Sequence, residues 1–145
     1  MFETISKMVV RRVKVNRSRT PQEAVHATKR VEYLNDEVVN GMPRGTLEEV
    51  EACFFPLEKF ASAADVQQAL ADRGLEPDPY ALAAVNEEDP AFADNLPNGT
   101  QWVDSNGNYC YLAFAGWSDE RSVVCFRDGS DWDGLWWVGG VRKCQ

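Results

Sequence analysis

The stretch from residue 101 to residue 112 reads QWVDSNGNYCYL and has the form of a β-hairpin. Its centre, Asn106-Gly107, tolerates the positive φ angles of tight turns, and apolar and aromatic residues flank it on both sides. Two further strands are predicted at residues 122–126 and 135–141, joined by a segment rich in glycine and aspartate. Residues 98–145 are therefore predicted to form an antiparallel β meander that carries all five tryptophans.

Two strands are also predicted in the N-terminal part of the chain. Residues 12–15 alternate polar and apolar side chains, as a half-buried strand does, and lie in a basic segment. Residues 47–55 alternate in the same way and end before a proline. Pairing of the two strands would place Arg12 and Lys14 opposite Glu49 and Glu51.

Short helices are predicted between these strand regions. Thr20-Pro21-Gln22-Glu23 has the form of a capping box with proline at the first helical position, which predicts a helix over residues 21–30. Ser62 begins a second helix over residues 63–73, which ends before a glycine. Asp-Pro pairs at 78–79 and 89–90 predict short helices around 80–86 and 91–94, and residues 37–39 could add one more turn.

Length and composition indicate one α+β domain. The chain has 145 residues, enough for one core, and we expect the segment 1–97, with its basic strand and helices, to pack on the meander. The net charge of −8 gives no basic footprint, so direct nucleic-acid binding is not expected. We also expect no membrane span, no signal peptide and a cytoplasmic location.

Candidate catalytic and metal-ligating residues are few. The four cysteines, Cys53, Cys110, Cys125 and Cys144, form no C-x-x-C pair and have only His26 as a nitrogen partner, so free thiols are favoured over a zinc site. An enzyme using Cys110 or His26 would need a base and an orienting group, which spacing does not supply. We expect no catalytic site, no metal and no cofactor.

Aspartates around residue 131 leave two interpretations open. Asp128, Asp131 and Asp133 precede Gly134, which suggests a calcium loop, although the spacing differs from that of an EF-hand. Alternatively, Asp128 and Asp131 cap tight turns by hydrogen bonding to the backbone, which needs no ligand.

The charges are unevenly distributed along the chain. No lysine or arginine occurs between Arg73 and Arg121, whereas nine acidic residues fall in that interval. They are Glu76, Asp78, Glu87, Glu88, Asp89, Asp94, Asp104, Asp119 and Glu120. This pattern predicts a negative flank, which is either a solubilising surface or the binding face of an acidic inhibitor that mimics nucleic acid.

Tryptophans are concentrated in the last 29 residues, where they can serve as core residues, as interface anchors or as both. The segment 120–143, ERSVVCFRDGSDWDGLWWVGGVRK, resembles the C-terminal variable region of target proteins of diversity-generating retroelements. Those proteins are similar to C-type lectins and to formylglycine-generating-enzyme-type domains. The resemblance implies a C-type-lectin-like arrangement that displays variable side chains for ligand binding.

By this resemblance, one set of residues would be framework and another would be displayed to a ligand. The framework residues would be Trp132, Trp136, Trp137, Gly140 and Arg142. The displayed residues would be Val124, Phe126, Asp128, Ser130, Asp133 and Leu135, and Trp117 begins the same surface. We therefore expect a non-catalytic binding protein whose partner is a protein or another macromolecule.

Overall fold

The computed structural model describes residues 7–117 and 119–142, which form eight strands and five helices. The strands are β1 (Val9–Lys14), β2 (Val31–Leu34), β3 (Glu49–Pro56), β4 (Leu75–Glu76), β5 (Asn98–Val103), β6 (Tyr109–Trp117), β7 (Glu120–Arg127) and β8 (Trp137–Arg142). The helices are α1 (Pro21–His26), α2 (Asp36–Asn40), α3 (Ala63–Asp72), α4 (Pro79–Glu88) and α5 (Phe92–Asn95). The α+β class predicted from the sequence is confirmed.

Most of the predicted helix starts are confirmed by their caps. Thr20 and Glu23 form the reciprocal capping box of α1, and the Ser62 and Asp78 side chains accept backbone N–H groups at the starts of α3 and α4. The predicted cap at Asp89 is wrong, because α5 begins after Ala91 without a side-chain cap. The Asp89 carboxylate instead pairs with Arg11 across the fold, at 3.2 Å.

Helix α1 is shorter than predicted and is followed by a strand that the sequence analysis did not identify. Lys29 has a φ of 57°, which ends the helical geometry, and the next residue, Arg30, turns into the interior. The Arg30 guanidinium donates to the Ala115 carbonyl at 3.1 Å and to the Pro90 carbonyl at 2.8 Å. The chain then continues as β2, which pairs in parallel with β7.

Strands β1 and β3 pair as the charge pattern predicted. They are antiparallel, with Arg12 opposite Glu51 and Lys14 opposite Glu49. The Arg12 guanidinium lies 3.5 Å from the carboxylates of both Glu49 and Glu51. Cross-strand charge complementarity therefore accompanies this register, as the sequence suggested.

One continuous sheet, in the order β1-β3-β8-β5-β6-β7-β2, spans both halves of the chain, and β4 pairs with β8. The predicted C-terminal meander is correct for β5, β6 and β7 but wrong for β8, which lies between β3 and β5. The composition of β8 accounts for its central position, because residues 138–141 form a continuous run without polar side chains and are buried. The N-terminal strands thus join the sheet instead of packing on it.

The two faces of the sheet carry separate hydrophobic cores. The larger core lies under α1, α2, α4 and α5 and contains Phe54, Leu82 and Phe114. The smaller core lies under α3 and contains Phe55, Leu70 and Trp132. On this second face, α3 contacts β4, β5 and β8 near the centre of the sheet, and the side chains of Tyr111, Val124 and Phe126 beyond it are only partly buried. None of the helices in the described ranges is long and apolar enough to cross a membrane.

Candidate binding cleft

An open cleft of about 190 Å³ lies on the α3 side of the sheet. Tyr111 and Ala113 of β6 and Val124 of β7 form its floor, with Ala113 and Val124 directly opposite each other in the ladder. Alternation along β6 explains this placement, because Cys110 and Leu112 point into the larger core on the other face. We call this site the aromatic cleft, since Tyr111, Trp132 and Trp136 line it.

The loop between β7 and β8, residues 128–136, supplies the remaining walls. It is held by backbone pairing with residues 57–61: Trp132 exchanges two hydrogen bonds with Ala61, at 2.7 and 3.0 Å. The carbonyls of Gly134 and Trp136 also accept backbone N–H groups from this segment, at 2.9 and 3.0 Å. Backbone hydrogen bonds to residues 57–61 therefore hold the loop, although it lacks regular secondary structure over most of its length.

A buried glutamine fixes the position of Trp132. The Trp132 indole N–H donates to Gln101 Oε1 at 2.9 Å, and Gln101 Nε2 donates to the Ala63 carbonyl at 2.8 Å and to Gln67 Oε1 at 2.9 Å. Both polar ends of the Gln101 amide are thus satisfied although the residue is buried. Through this amide, strand β5 and helix α3 orient the ring that lines the cleft.

Aromatic rings form a row along the cleft and out to its edge. Tyr111 and Trp132 lie 5.9 Å apart at 71°, Trp132 and Trp136 lie 5.8 Å apart at 89°, and Trp136 and Trp117 lie 6.0 Å apart at 87°. Edge-to-face pairs of this kind are favourable beyond their buried area. Trp132 is buried, whereas Trp117 is 47% exposed, so the row runs from the core to the surface.

Polar side chains form the rim of the cleft. Asp128 Oδ1 accepts the Ser130 backbone N–H at 2.9 Å and the Ser130 hydroxyl at 2.6 Å. Asp131 is exposed beside them. The second turn cap comes from Asp133, which accepts the Leu135 N–H at 3.1 Å, and not from Asp131 as predicted.

The calcium interpretation gains no support from this geometry. Among the described residues, no three His, Cys, Asp or Glu side chains are grouped so that they could hold a metal ion. The carboxylates of Asp128 and Asp133 each close a local turn by accepting a backbone N–H. The turn-capping alternative accounts for the aspartates at both of these positions.

The structure brings together only some of the residues that the resemblance would display. Val124, Asp128 and Ser130 line the aromatic cleft, and Trp117 adjoins it through Trp136. The other three, Phe126, Asp133 and Leu135, do not line it: Phe126 packs against Tyr111, Asp133 caps a turn, and Leu135 is 45% exposed.

The predicted framework residues are divided between the two sides of the sheet. Trp132 and Trp136 line the cleft, whereas Trp137 packs against the larger core on the opposite face. Gly140 is buried in β8, and Arg142 at the end of that strand contacts Glu51 at 3.3 Å. Tryptophan therefore serves both as core and as exposed surface in this region.

Three residues of the site were not predicted from the sequence: Tyr111, Ala113 and Gln101. Alternation within the predicted strand would have placed Tyr111 on the face opposite Cys110 and Leu112. That pattern could not show which face a loop about 20 residues later would cover. Gln101 gave no signal, because its partner Trp132 is 31 residues away.

The three thiols that the structure describes show no sign of activation. Cys53, Cys110 and Cys125 are free and buried, and burial raises the pKa of all three, that of Cys125 to about 12. A raised pKa leaves less of the nucleophilic thiolate at neutral pH. The His26 side chain is largely exposed on α1, where its ring contacts Glu32. Cys144 lies outside the described residues.

Arginines pair with much of the acidic interval in which the sequence predicts a negative flank. Five of the nine carboxylates pair with arginine at 2.7–3.2 Å: Asp78, Glu87, Asp89, Asp94 and Asp104. Three of the arginines come from the basic N-terminal segment and two from β7. A hydrogen bond from Arg121 lowers the pKa of Asp94. The acidic inhibitor that mimics nucleic acid stays a prediction, and these ion pairs reduce the number of carboxylates free to bind a basic partner.

Comparison with known proteins gave no relatives: no protein-family model, no curated protein and no solved structure matches this chain. The geometry of the described residues is therefore the basis for inferring what the protein does.

Proposed function

We propose that this protein is a non-catalytic binding protein that uses the aromatic cleft and the exposed Trp117 beside it to hold a protein or another macromolecular ligand. The observation that carries the proposal is an open cleft lined by aromatic rings that the fold holds in place. Exposed aromatic side chains of this kind are common anchors of binding interfaces.

Preorganisation supports this proposal. The loop that carries Trp132 and Trp136 is tied to residues 57–61 by backbone hydrogen bonds, and Gln101 fixes the Trp132 ring. Side chains that are already ordered lose little conformational entropy when a partner binds. The exposed side chains of Trp117 on β6 and Tyr33 on the edge strand β2, which pairs with β7, extend the apolar surface.

The resemblance of residues 120–143 to variable regions of retroelement target proteins also favours ligand display. Val124, Asp128 and Ser130 are displayed positions in that resemblance, and the same three side chains line the cleft. A C-type-lectin-like role for the scaffold is part of this proposal and rests on the resemblance alone.

The test compares two arginine substitutions of exposed serines. Ser130→Arg places a long charged side chain at the cleft, whereas Ser105→Arg places the same side chain on the β5–β6 loop. Each variant and the unsubstituted protein would be immobilised and exposed to a lysate of the source organism. We expect the Ser105→Arg variant to retain the same partner as the unsubstituted protein and the Ser130→Arg variant to lose it.

Circular dichroism and the thermal midpoint would verify that both variants are folded. Partner retention by a folded Ser130→Arg variant at the level of the unsubstituted protein would contradict the proposal.

A further inference from the structure

The rings of the aromatic cleft stand nearly perpendicular to one another. Trp132 meets Trp136 at 89° and Tyr111 at 71°, with ring centroids 5.8 and 5.9 Å apart. A planar ligand such as a nucleobase stacks best between parallel rings. Perpendicular rings instead form a corner that suits a rounded group able to touch several ring faces.

The charges at the cleft are all negative. Asp128 and Asp131 lie at its rim, and none of the described residues that line it is a lysine or an arginine. Asp128 uses Oδ1 for both of its bonds to Ser130. Aromatic faces are the negative ends of the ring quadrupole, so rings and carboxylates favour the same kind of ligand, a cation.

The volume of the cleft limits the size of the group that it can bind. At about 190 Å³, the cleft is smaller than the pockets of roughly 300–1,000 Å³ that hold drug-sized molecules. It can take a head group or the tip of a side chain. A weakly hydrated cation is the form of head group that aromatic walls and carboxylates together recognise.

Building on the proposed function, we infer that the aromatic cleft binds a quaternary ammonium group, with the rings of Tyr111, Trp132 and Trp136 around it and Asp131 as its charge partner. A trimethylammonium group has the rounded shape and the diffuse positive charge that this corner fits. Such a group occurs in free choline and in the trimethylated lysine side chain of proteins.

The experiment compares choline with its neutral carbon isostere, in which a tert-butyl group replaces the trimethylammonium group. Binding would be followed by nuclear magnetic resonance of the indole N–H groups of the 145-residue chain, where Trp132 reports on the cleft. We expect saturable shifts with choline and about tenfold weaker binding of the isostere, since the two differ only in charge. Equal affinity for the two would overturn the inference.

Two isosteric variants test the charge partner. Asp131→Asn removes one carboxylate at the cleft, and Asp72→Asn removes one exposed carboxylate at the end of α3. We expect choline to bind roughly fivefold more weakly to the Asp131→Asn variant, because one charge–charge contact in water contributes about that factor in affinity. Binding to the Asp72→Asn variant should equal binding to the unsubstituted protein. A matched loss in both variants would indicate general electrostatics and would overturn the assignment to Asp131.

A peptide carrying trimethyllysine separates the two sources of the group. Tighter binding of this peptide than of choline would identify a modified protein as the source. Weaker binding would identify a free small molecule as the source and would contradict the macromolecular ligand of the proposed function. If neither ligand nor the isostere shifts Trp132, while Ser130→Arg still abolishes partner capture, the ammonium inference fails and the proposed function stands. If Ser130→Arg leaves partner capture intact, the proposed function fails as well.

Discussion

At the scale of single residues, Gly134 decides whether the β7–β8 loop can lie against residues 57–61. A Cβ atom at this position would meet the backbone of Lys59 at 2.6 and 2.7 Å, closer than real Cβ contacts allow. Neither the loop nor the segment beneath it could then keep its place. We expect Gly134→Ala to destabilise the fold by about 1–3 kcal/mol, as overpacking does, in chemical denaturation.

Gly129 provides a matched control in the same loop. A Cβ atom there would make an ordinary contact with the Tyr109 ring at 3.8 Å. We expect Gly129→Ala to change the free energy of unfolding by less than about 0.5 kcal/mol. Equal effects of the two substitutions would show that the close approach at Gly134 does not hold the loop.

At the scale of elements, a buried ion pair ties the segment after β1 to the start of α4. Arg17 donates to both Asp78 carboxylate oxygens, at 2.7 and 2.8 Å, and Asp78 also caps the helix by accepting the Ala81 N–H. The side chains are 11% and 4% exposed. Asp78→Ala leaves the Arg17 charge buried without its partner, so we expect a loss of about 3–5 kcal/mol in the free energy of unfolding.

The ion pair between Arg19 and Glu87 is the comparison, because it also joins the segment after β1 to α4, at the opposite end of the helix. Its side chains are about one-third exposed, at 33% and 36%, and water screens them. We expect Glu87→Ala to cost less than about 1 kcal/mol. Calorimetry of both variants would measure the two losses in the free energy of unfolding. A loss in Glu87→Ala as large as that in Asp78→Ala would contradict the expected effect of burial.

Elements with local signals were predictable from the sequence, and those set by distant partners were not. The capping box at Thr20 and the turn at Asn106-Gly107 are encoded within a few residues, and both are present in the structure. Strand β2 was missed because its four residues pair with β7, roughly 90 positions away. The central place of β8 depends in the same way on burial between two distant strands.

The residues of the aromatic cleft were also only partly predictable, because some of them come from distant parts of the chain. Asp128 and Ser130 were candidates because their segment resembles a variable region, whereas Tyr111 lines the cleft from β6 and lies outside that segment. Arginine pairing was equally hidden, because Arg17 and Asp78 are 61 positions apart. The resemblance therefore named candidate side chains, and tertiary structure decided which of them lie together.

At the scale of the whole molecule, the sheet order makes the two halves of the chain interdependent. Strand β8 pairs with β3 over five residue pairs and with β5 over two, so it joins the N-terminal strands to the hairpin. A fragment of residues 98–145 would lack β3, and the fully buried Val138 would lose its partner Phe55. Such a fragment would expose to water apolar side chains that the two cores bury in the full chain.

We therefore expect the full chain to unfold in one cooperative transition and the fragment 98–145 to be unfolded on its own. Tryptophan fluorescence reports mainly on the C-terminal half, since all five tryptophans lie there, whereas far-ultraviolet circular dichroism reports on the whole chain. Coincident midpoints of the two signals would show that both halves unfold together. Separate transitions, or a fragment with dispersed amide resonances, would show that the hairpin and β7 fold without β3 and that β8 is an addition to an independent meander.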